Sequence, residues 1–291
     1  CLWAKDWQNK KTKDKVVSLP ETVNSYDAEF AHTVHDGKLI FSSLRADSIV
    51  ENEVVYSKSY KTRIYASTIE DSSYSQNKLI KDLFFRKLNT GNGTFTEDGK
   101  TFYFSVCEQE GYNYRCKIWR AKYKKGKWSE LLVLPPLINQ EECNTTMPCV
   151  GKLGKKEVLF FSSNRRGGKG GLDIWYTQLN KKNKEYTSPK NVKKVNSIDN
   201  DICPWWDSKN SALYFSSSWF FGFGGFDVFK IPYVKSFSVP ENLKMPINSS
   251  ANDVYFFNHN DSIYFSSNRV GTRSKKNPTC CSDIFSIMPK P

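Results

Sequence analysis

The chain has 291 residues, a formal net charge of +13 and 15% aromatic residues. It lacks a run of about 18 apolar residues, which argues against a membrane-spanning helix, and it lacks sustained helical periodicity, which argues against a helical domain. The aromatic and β-branched residues favour sheets instead.

The positive charge would suit a nucleic acid or an anionic surface. The lysines, however, concentrate in predicted hairpin turns, as at residues 122–127 and 180–184. Lysines in such turns commonly form a solvated rim that protects sheet edges. The sequence therefore predicts no nucleic-acid partner.

The N-terminal residues 1–13 are predicted to be a short lead-in, followed by one domain over residues 14–291. The chain begins with Cys1 and not with Met. A mature bacterial lipoprotein would begin with such a cysteine, and a fragment could begin there too. We favour the fragment.

One motif recurs five times along the domain. Its clearest copy is FFSSNRRGGKGGLDIW at residues 160–175, in which a strand ends at Ser162–Ser163, glycines form a turn and Asp173 opens a second strand. An Asn with a polar or acidic residue five positions later precedes each copy. The five pairs are Asn24/Glu29, Asn89/Thr94, Asn139/Asn144, Asn196/Asp201 and Asn248/Asp253.

Extended segments connect the repeats and predict how the array closes. Residues 128–137, 190–195 and 241–247 each precede the next Asn, but no such segment follows the last hairpin, which ends at Met288. Residues 14–23 form a spare segment of the same kind at the N-terminus. The sequence thus predicts an all-β, five-bladed β-propeller in which an N-terminal strand closes the last blade.

Eight cysteines without zinc-ligand spacing favour an oxidising compartment, either the periplasm or the cell exterior. Cys107 and Cys116 flank a hairpin turn and are predicted to form a disulfide. Cys143 and Cys149 could close a loop, and the pairing of Cys203, Cys280 and Cys281 stays open. The sequence predicts no metal site and no cofactor.

The repeats resemble those of a known family. FSSNRRGGKGGLDIW, LYFSSSWFFGFGGFDVF and IYFSSNR with CSDIF are similar to the WD-repeat-like, TolB-type β-propeller of Bacteroidetes envelope proteins, nearest to the propeller of PorE-type subunits of type IX secretion. The resemblance implies a non-catalytic periplasmic scaffold at the outer membrane that binds other envelope or secretion-system proteins. The flanking domains that would reach the cell wall have no counterpart in this sequence.

Two sets of polar residues are candidates for structural or catalytic roles. Arg165 with Asp173, and Arg269 with Asp283, are predicted to form charge pairs that hold the turns. Glu29, Asp201 and Asp253 are predicted to lie near the channel mouth, where a glycoside hydrolase would need paired carboxylates. Because they occupy equivalent repeat positions, a role in the fold is favoured. We therefore expect no enzyme, with a carbohydrate-active propeller, either glycan-binding or hydrolytic, as the alternative.

The hairpin WFFGFGGF at residues 219–226 carries aromatic residues where other repeats carry Arg, Lys and Gly. Aromatic side chains on a surface turn indicate a contact site. Packing between blades is the alternative for some of these rings. The sequence predicts partner binding through Trp219, Phe220, Phe221 and Phe223.

Overall fold

The computed structural model describes residues 14–51, 54–70, 73–111, 113–180, 185–274 and 281–288. The predicted lead-in at residues 1–13 and Cys280 lie outside these ranges. Strands dominate the described chain, which includes one short 3-10 helix, Lys81–Leu83. None of the described helical residues forms a segment long and apolar enough to cross a membrane.

Five antiparallel sheets form the blades, and their innermost strands contact one another in a ring. Blade 1 contains β2 (Glu29–His35), β3 (Lys38–Ser43), β6 (Arg63–Glu70), β7 (Ser73–Tyr74) and β8 (Lys78–Leu79), with a side hairpin of β4 (Ala46–Glu51) and β5 (Val54–Tyr60). Blade 2 contains β9 (Asn89–Phe95), β10 (Thr101–Glu110), β11 (Asn113–Lys124) and β12 (Lys127–Val133).

The remaining blades follow the same order from the inside of the ring outwards. Blade 3 contains β13 (Thr145–Leu153), β14 (Lys156–Ser163), β15 (Asp173–Asn180), β16 (Glu185–Tyr186) and β17 (Lys190–Asn191). Blade 4 contains β18 (Asp201–Asp207), β19 (Ala212–Ser217), β20 (Asp227–Pro232) and β21 (Glu241–Asn242). Blade 5 contains β22 (Asp253–His259), β23 (Ser262–Ser267) and β24 (Asp283–Ile287), completed by β1 (Val17–Ser18).

The N-terminal strand closes the ring as predicted. In the pairing of β1 with β24, Val17 lies opposite Ser286, and the Leu19 amide donates to the Ile284 carbonyl at 2.9 Å. Leu19 and Val23 are buried in a cluster with residues of blades 1 and 5. The first and last parts of the chain therefore share one sheet, and this covers an edge that would otherwise be unpaired.

The core lies between the blades. The second strand of each blade is covered on both faces, which explains why these strands read as continuous apolar runs instead of alternating ones. Residues 158–161 of β14 and residues 212–215 of β19 are all buried. Each blade thus depends on both of its neighbours for burial.

The repeated Asn links each blade to the one before it. Asn196 Oδ1 accepts the Ile174 amide at 2.7 Å, and its Nδ2 donates to the Ile174 carbonyl at 2.8 Å. The Asn side chain thus imitates a strand backbone against the third strand of the preceding blade. Asn24, Asn139 and Asn248 make the same two bonds to Ile284, Ile118 and Val228.

The predicted Cys107–Cys116 disulfide is present, and the two residues lie opposite each other in the β10–β11 register. Cys143 and Cys149 do not close a loop, since both are free thiols, as is Cys203. Cys281 takes part in a disulfide.

Candidate functional site

Every inner strand contains a two-residue β-bulge. The register breaks at the same point in β2, β9, β13, β18 and β22. The first bulged residue has a positive φ of 51° to 54° in all five blades. Bulges re-aim side chains, and here the first bulged residues line a pocket in the centre of the ring: Ala31, Asn92, Met147, Cys203 and Tyr255.

These residues form the floor of the pocket. Tyr255 Oη donates to Asn92 Oδ1 at 2.9 Å, and this bond joins blades 5 and 2, which are not neighbours. The Cys203 and Met147 sulfur atoms lie 3.7 Å apart. Burial raises the pKa of Cys203 to about 12, so the thiol is neutral.

The channel pocket, as we call it, has a volume of about 420 Å³ and extends from the bulges to the turns between first and second strands. The glycine-rich hairpins lie on the opposite face. His35 stacks on Phe95 with ring centroids 3.9 Å apart, and burial lowers the pKa of His35. The pocket thus combines aromatic side chains with polar ones: His35, Phe95, Trp205 and Phe257 with Glu97, Asp98, Lys152, Glu157 and Ser208.

The charged groups of the channel pocket are mainly acidic. Lys152 forms an ion pair with Glu97. Glu157 lies directly opposite Lys152 in the β13–β14 register, so its side chain shares a sheet face with the ammonium group. Asp98 adds a third carboxylate. The pocket is therefore locally acidic in a protein of net charge +13.

The three acids predicted for the channel mouth lie elsewhere. Glu29, Asp201 and Asp253 are each the first residue of an inner strand, are fully buried and do not line the channel pocket. Each accepts hydrogen bonds from the amide and hydroxyl of a serine four residues earlier, as Asp253 does from Ser249 at 2.6 and 2.9 Å. They hold the turns between blades. By register, Thr90 and Thr145 occupy this position in blades 2 and 3, and not Thr94 and Asn144.

The predicted Arg165–Asp173 and Arg269–Asp283 pairs are wrong, because each arginine has a different partner. Arg269 contacts Asp253 at 2.6 Å, and Arg165 donates to Thr145 Oγ1 at 3.2 Å. The arginine side chains extend back across their own blade to the start of its inner strand. Asp173 and Asp283 instead accept backbone amides of their hairpins, from Lys169 and Arg273. Sequence reasoning also missed the equivalent Arg45–Glu29 pair at 3.1 Å, although Arg follows the Ser-Ser motif by two residues in three blades.

The aromatic hairpin divides into exposed and buried rings. Trp219 is 54% exposed and Phe221 is 83% exposed. Phe220 instead packs against Phe215 and Phe229, and the Phe223 amide donates to Asp227 at 2.9 Å. The predicted contact site therefore retains Trp219 and Phe221 as exposed anchors, whereas Phe220 belongs to the core.

Among the described residues, no group of three or more His, Cys, Asp or Glu side chains could hold a metal ion.

Comparison with known proteins identifies the ring architecture. The chain matches no family model and no curated protein. Solved structures with the same fold include an α-L-arabinofuranosidase from Lactobacillus brevis, with 11% identity, 94% of both chains covered and a TM-score of 0.58. Another is the α-L-arabinofuranosidase PaAbf62A from Podospora anserina, solved with cellotriose, with 11% identity, 96% of this chain and 98% of that chain covered and a TM-score of 0.55.

A β-xylosidase named RS223 is also similar, with 13% identity, 94% of both chains covered and a TM-score of 0.53. At these identities the likeness shows the fold alone. These three structures are glycoside hydrolases and not TolB- or PorE-type propellers, so the resemblance predicted from the repeats is wrong. The same finding overturns the non-catalytic secretion scaffold and the expectation that the chain is not an enzyme.

Proposed function

We propose that the protein is a carbohydrate-active propeller that takes a saccharide into the channel pocket. The observation that carries the proposal is the lining of this pocket, where aromatic rings stand beside carboxylates, an ammonium group and a hydroxyl. Rings can cover the C–H face of a sugar, while the polar groups bond its hydroxyls. The volume of about 420 Å³ falls in the range of small-molecule sites.

The structural neighbours support a saccharide as the ligand. They are described as arabinofuranosidases and a xylosidase, and one of them was solved with cellotriose. All share the five-bladed ring, whose centre offers a concave site. A pentose or a short β-linked oligosaccharide is therefore the first class to test.

Hydrolysis in this pocket would use two carboxylates, one as an acid towards the leaving oxygen and one as a base or nucleophile. Glu97 and Glu157 are the candidates because both neighbour Lys152. Glu157 is the more buried of the two and lies near Tyr103, so we assign it the acid role. Glu97, which contacts the ammonium group, is assigned the role of base or nucleophile.

Calorimetric titration with xylo-, arabino- and cello-oligosaccharides tests binding. We expect saturable binding that weakens at least about tenfold in Glu157→Gln, since a lost charged hydrogen bond costs about 1.5–3 kcal/mol. Glu130→Gln is the control, because Glu130 forms an ion pair with Lys122 outside the pocket, as Glu97 does with Lys152 inside it. The absence of binding to all these saccharides would refute the proposal.

Hydrolysis is tested separately with xylo- and arabino-oligosaccharides, whose leaving oxygens require protonation. Removing a general acid or base should lower turnover by about 100-fold or more, so Glu97→Gln and Glu157→Gln should both lose activity while Glu130→Gln keeps it. Saccharide binding without turnover would remove the hydrolytic assignment and leave a glycan-binding site.

The periplasmic location expected from the sequence stays a proposal. The Cys107–Cys116 disulfide supports an oxidising compartment. Thiol labelling of the denatured protein, taken from cell fractions without reductant, should leave both cysteines unlabelled. Labelling of either in freshly isolated protein would contradict this location.

A further inference from the structure

Three blades hold a buried guanidinium group in the same way. Arg45, Arg165 and Arg269 each follow the Ser-Ser motif by two residues. Each Nε donates to the second serine of that motif, at 2.8, 3.1 and 3.0 Å. Each Nη2 donates to the carbonyl of the residue before the repeated Asn, and also to the residue that starts the inner strand.

Two aromatic rings complete each of these sites. The Arg165 guanidinium carbon lies 4.7 Å from the Phe161 ring centroid and 5.5 Å from that of Trp175. Arg269 has the same two distances to Phe265 and Phe285. A guanidinium site in this fold thus consists of a carbonyl, a serine hydroxyl, the first residue of the inner strand and two rings.

Blade 4 retains these acceptors but has no arginine to use them. Val195 precedes the repeated Asn, Ser217 ends the Ser-Ser motif and Asp201 starts the inner strand. Trp219 occupies the arginine position, and its side chain is more than half exposed. The Phe220 ring packs over Phe215 and Phe229, where the guanidinium group of another blade would lie.

Among the residues that the structure describes, Asp201 is therefore a buried carboxylate without a cationic partner. Its Oδ2 accepts two bonds from Ser197, while its Oδ1 is buried and has no hydrogen-bond partner in the part of the chain that the structure describes. Burial raises the pKa of Asp201 to about 6, although hydrogen bonds from Ser217 and Ser197 act to lower it, and the nearby Asp173 carboxylate adds a smaller rise. The equivalent acids Glu29 and Asp253 each contact an arginine of their own blade.

We propose that the blade 4 site receives the guanidinium group of an arginine from a partner peptide, which enters beside Trp219 and displaces the Phe220 ring. The other blades show that this set of acceptors fits a guanidinium group. The carboxylate and the serine hydroxyl favour a cation that donates several hydrogen bonds in one plane, which lysine does not offer. This site lies on the face opposite the channel pocket.

The surface around the site favours a peptide over free arginine. Trp219 and Phe221 are exposed, and Ile198, in the adjoining turn, is 64% exposed. The Ser218 amide donates to the Asn200 carbonyl at 3.3 Å, which holds the hairpin beside that turn. Residues flanking the arginine would thus meet an apolar surface, where aromatic anchors contribute most to binding.

Calorimetry with the capped peptide acetyl-Leu-Arg-Leu-amide tests the proposal. It should bind at least about tenfold more tightly than the same peptide with citrulline or lysine, because citrulline lacks the charge and lysine lacks the planar set of donors. It should also bind more tightly than arginine amide, which lacks the flanking leucines. Asp201→Asn should weaken binding about tenfold, whereas Asp261→Asn, an exposed acid on the other face, should leave it unchanged.

A second variant fills the site from within the chain. Trp219→Arg should abolish peptide binding and raise the melting temperature, because the new guanidinium group would bond Asp201 as Arg269 bonds Asp253. Equal binding of the arginine and citrulline peptides, or unchanged binding in Asp201→Asn, would overturn the proposal. If arginine amide binds more tightly than the peptide, the site takes a small guanidinium ligand and not a peptide. This result would also overturn the proposal.

Discussion

The inner strands of blades 1, 4 and 5 begin alike, whereas the inner strands of all five blades differ two residues later. At the beginning, Glu29, Asp201 and Asp253 accept the same pair of bonds from a serine, and two of them contact an arginine. Two residues later, at the bulge, the side chains are those of Ala31, Asn92, Met147, Cys203 and Tyr255.

This difference distinguishes the positions that folding requires from the positions that line a binding pocket. The turn that precedes an inner strand must join two blades, so the same bonds recur wherever the geometry recurs. The bulge faces the centre of the ring, where the five side chains meet one another and shape a pocket. Repetition therefore indicates structure here, and variation indicates where specificity is determined.

The largest effect should follow from deleting residues 1–20. The deletion removes β1 and the buried Leu19, and it exposes the edge of β24. We expect a loss of about 5 kcal/mol, which corresponds to a fall in melting temperature of roughly 10 °C or more. Calorimetry measures it, and an unchanged melting temperature would show that the closing strand contributes little.

A smaller but still large effect should follow from Arg269→Met. The change leaves Asp253 buried without its cation, which should lower the free energy of unfolding by about 3–5 kcal/mol. Arg115→Met is the control, because its ion pair with Glu110 is exposed and should contribute little to stability. Similar losses in urea unfolding of the two variants would refute the assigned role of the buried pair.

The pH dependence of stability should change in Asp227→Asn. Burial raises the pKa of Asp227 to about 6, above its usual value of 3.8. Between about pH 4 and 6 the folded state holds a proton that the unfolded state releases, so this group's contribution falls as pH rises. Relative to wild type, the variant should gain on the order of 1–2 kcal/mol between pH 4.5 and 7.5.

Comparing the variant with wild type is necessary because His32 acts in the opposite direction. Burial lowers the pKa of His32 to about 3, so that residue favours folding as pH rises. Urea unfolding at both pH values provides the measurement, with Asp261→Asn as the exposed control. Parallel pH curves for wild type and Asp227→Asn would contradict the prediction.

The smallest effect on stability is expected at the bulge. Tyr255→Phe removes the bond to Asn92 and should cost about 1 kcal/mol in urea unfolding. The same change alters the pocket floor, so we expect saccharide affinity to shift more than stability does. If Tyr255→Phe lowers stability as much as Arg269→Met does, the bulge residue is also required for folding. The distinction between the start of the inner strand and its bulge would then be wrong.

The number of blades, the closing strand and the Cys107–Cys116 pair could all be predicted from the order of amino acids alone. These features depend on relations along the chain, such as a repeated motif, a spare extended segment and two cysteines flanking one turn. The sequence also located the acids Glu29, Asp201 and Asp253 at equivalent positions, which correctly favoured a role in the fold for residues that are now seen to hold turns.

Which side chains contact one another became visible only in the folded chain. Arg269 reaches Asp253 and not Asp283, because its side chain crosses the blade to a strand that the sequence pattern treats as a separate segment. The channel pocket could not be predicted from the sequence for the same reason. Most of its residues come from the five inner strands and the turns that follow them. They converge because each inner strand bulges at the same height in the ring, and no local residue pattern encodes this property of the backbone.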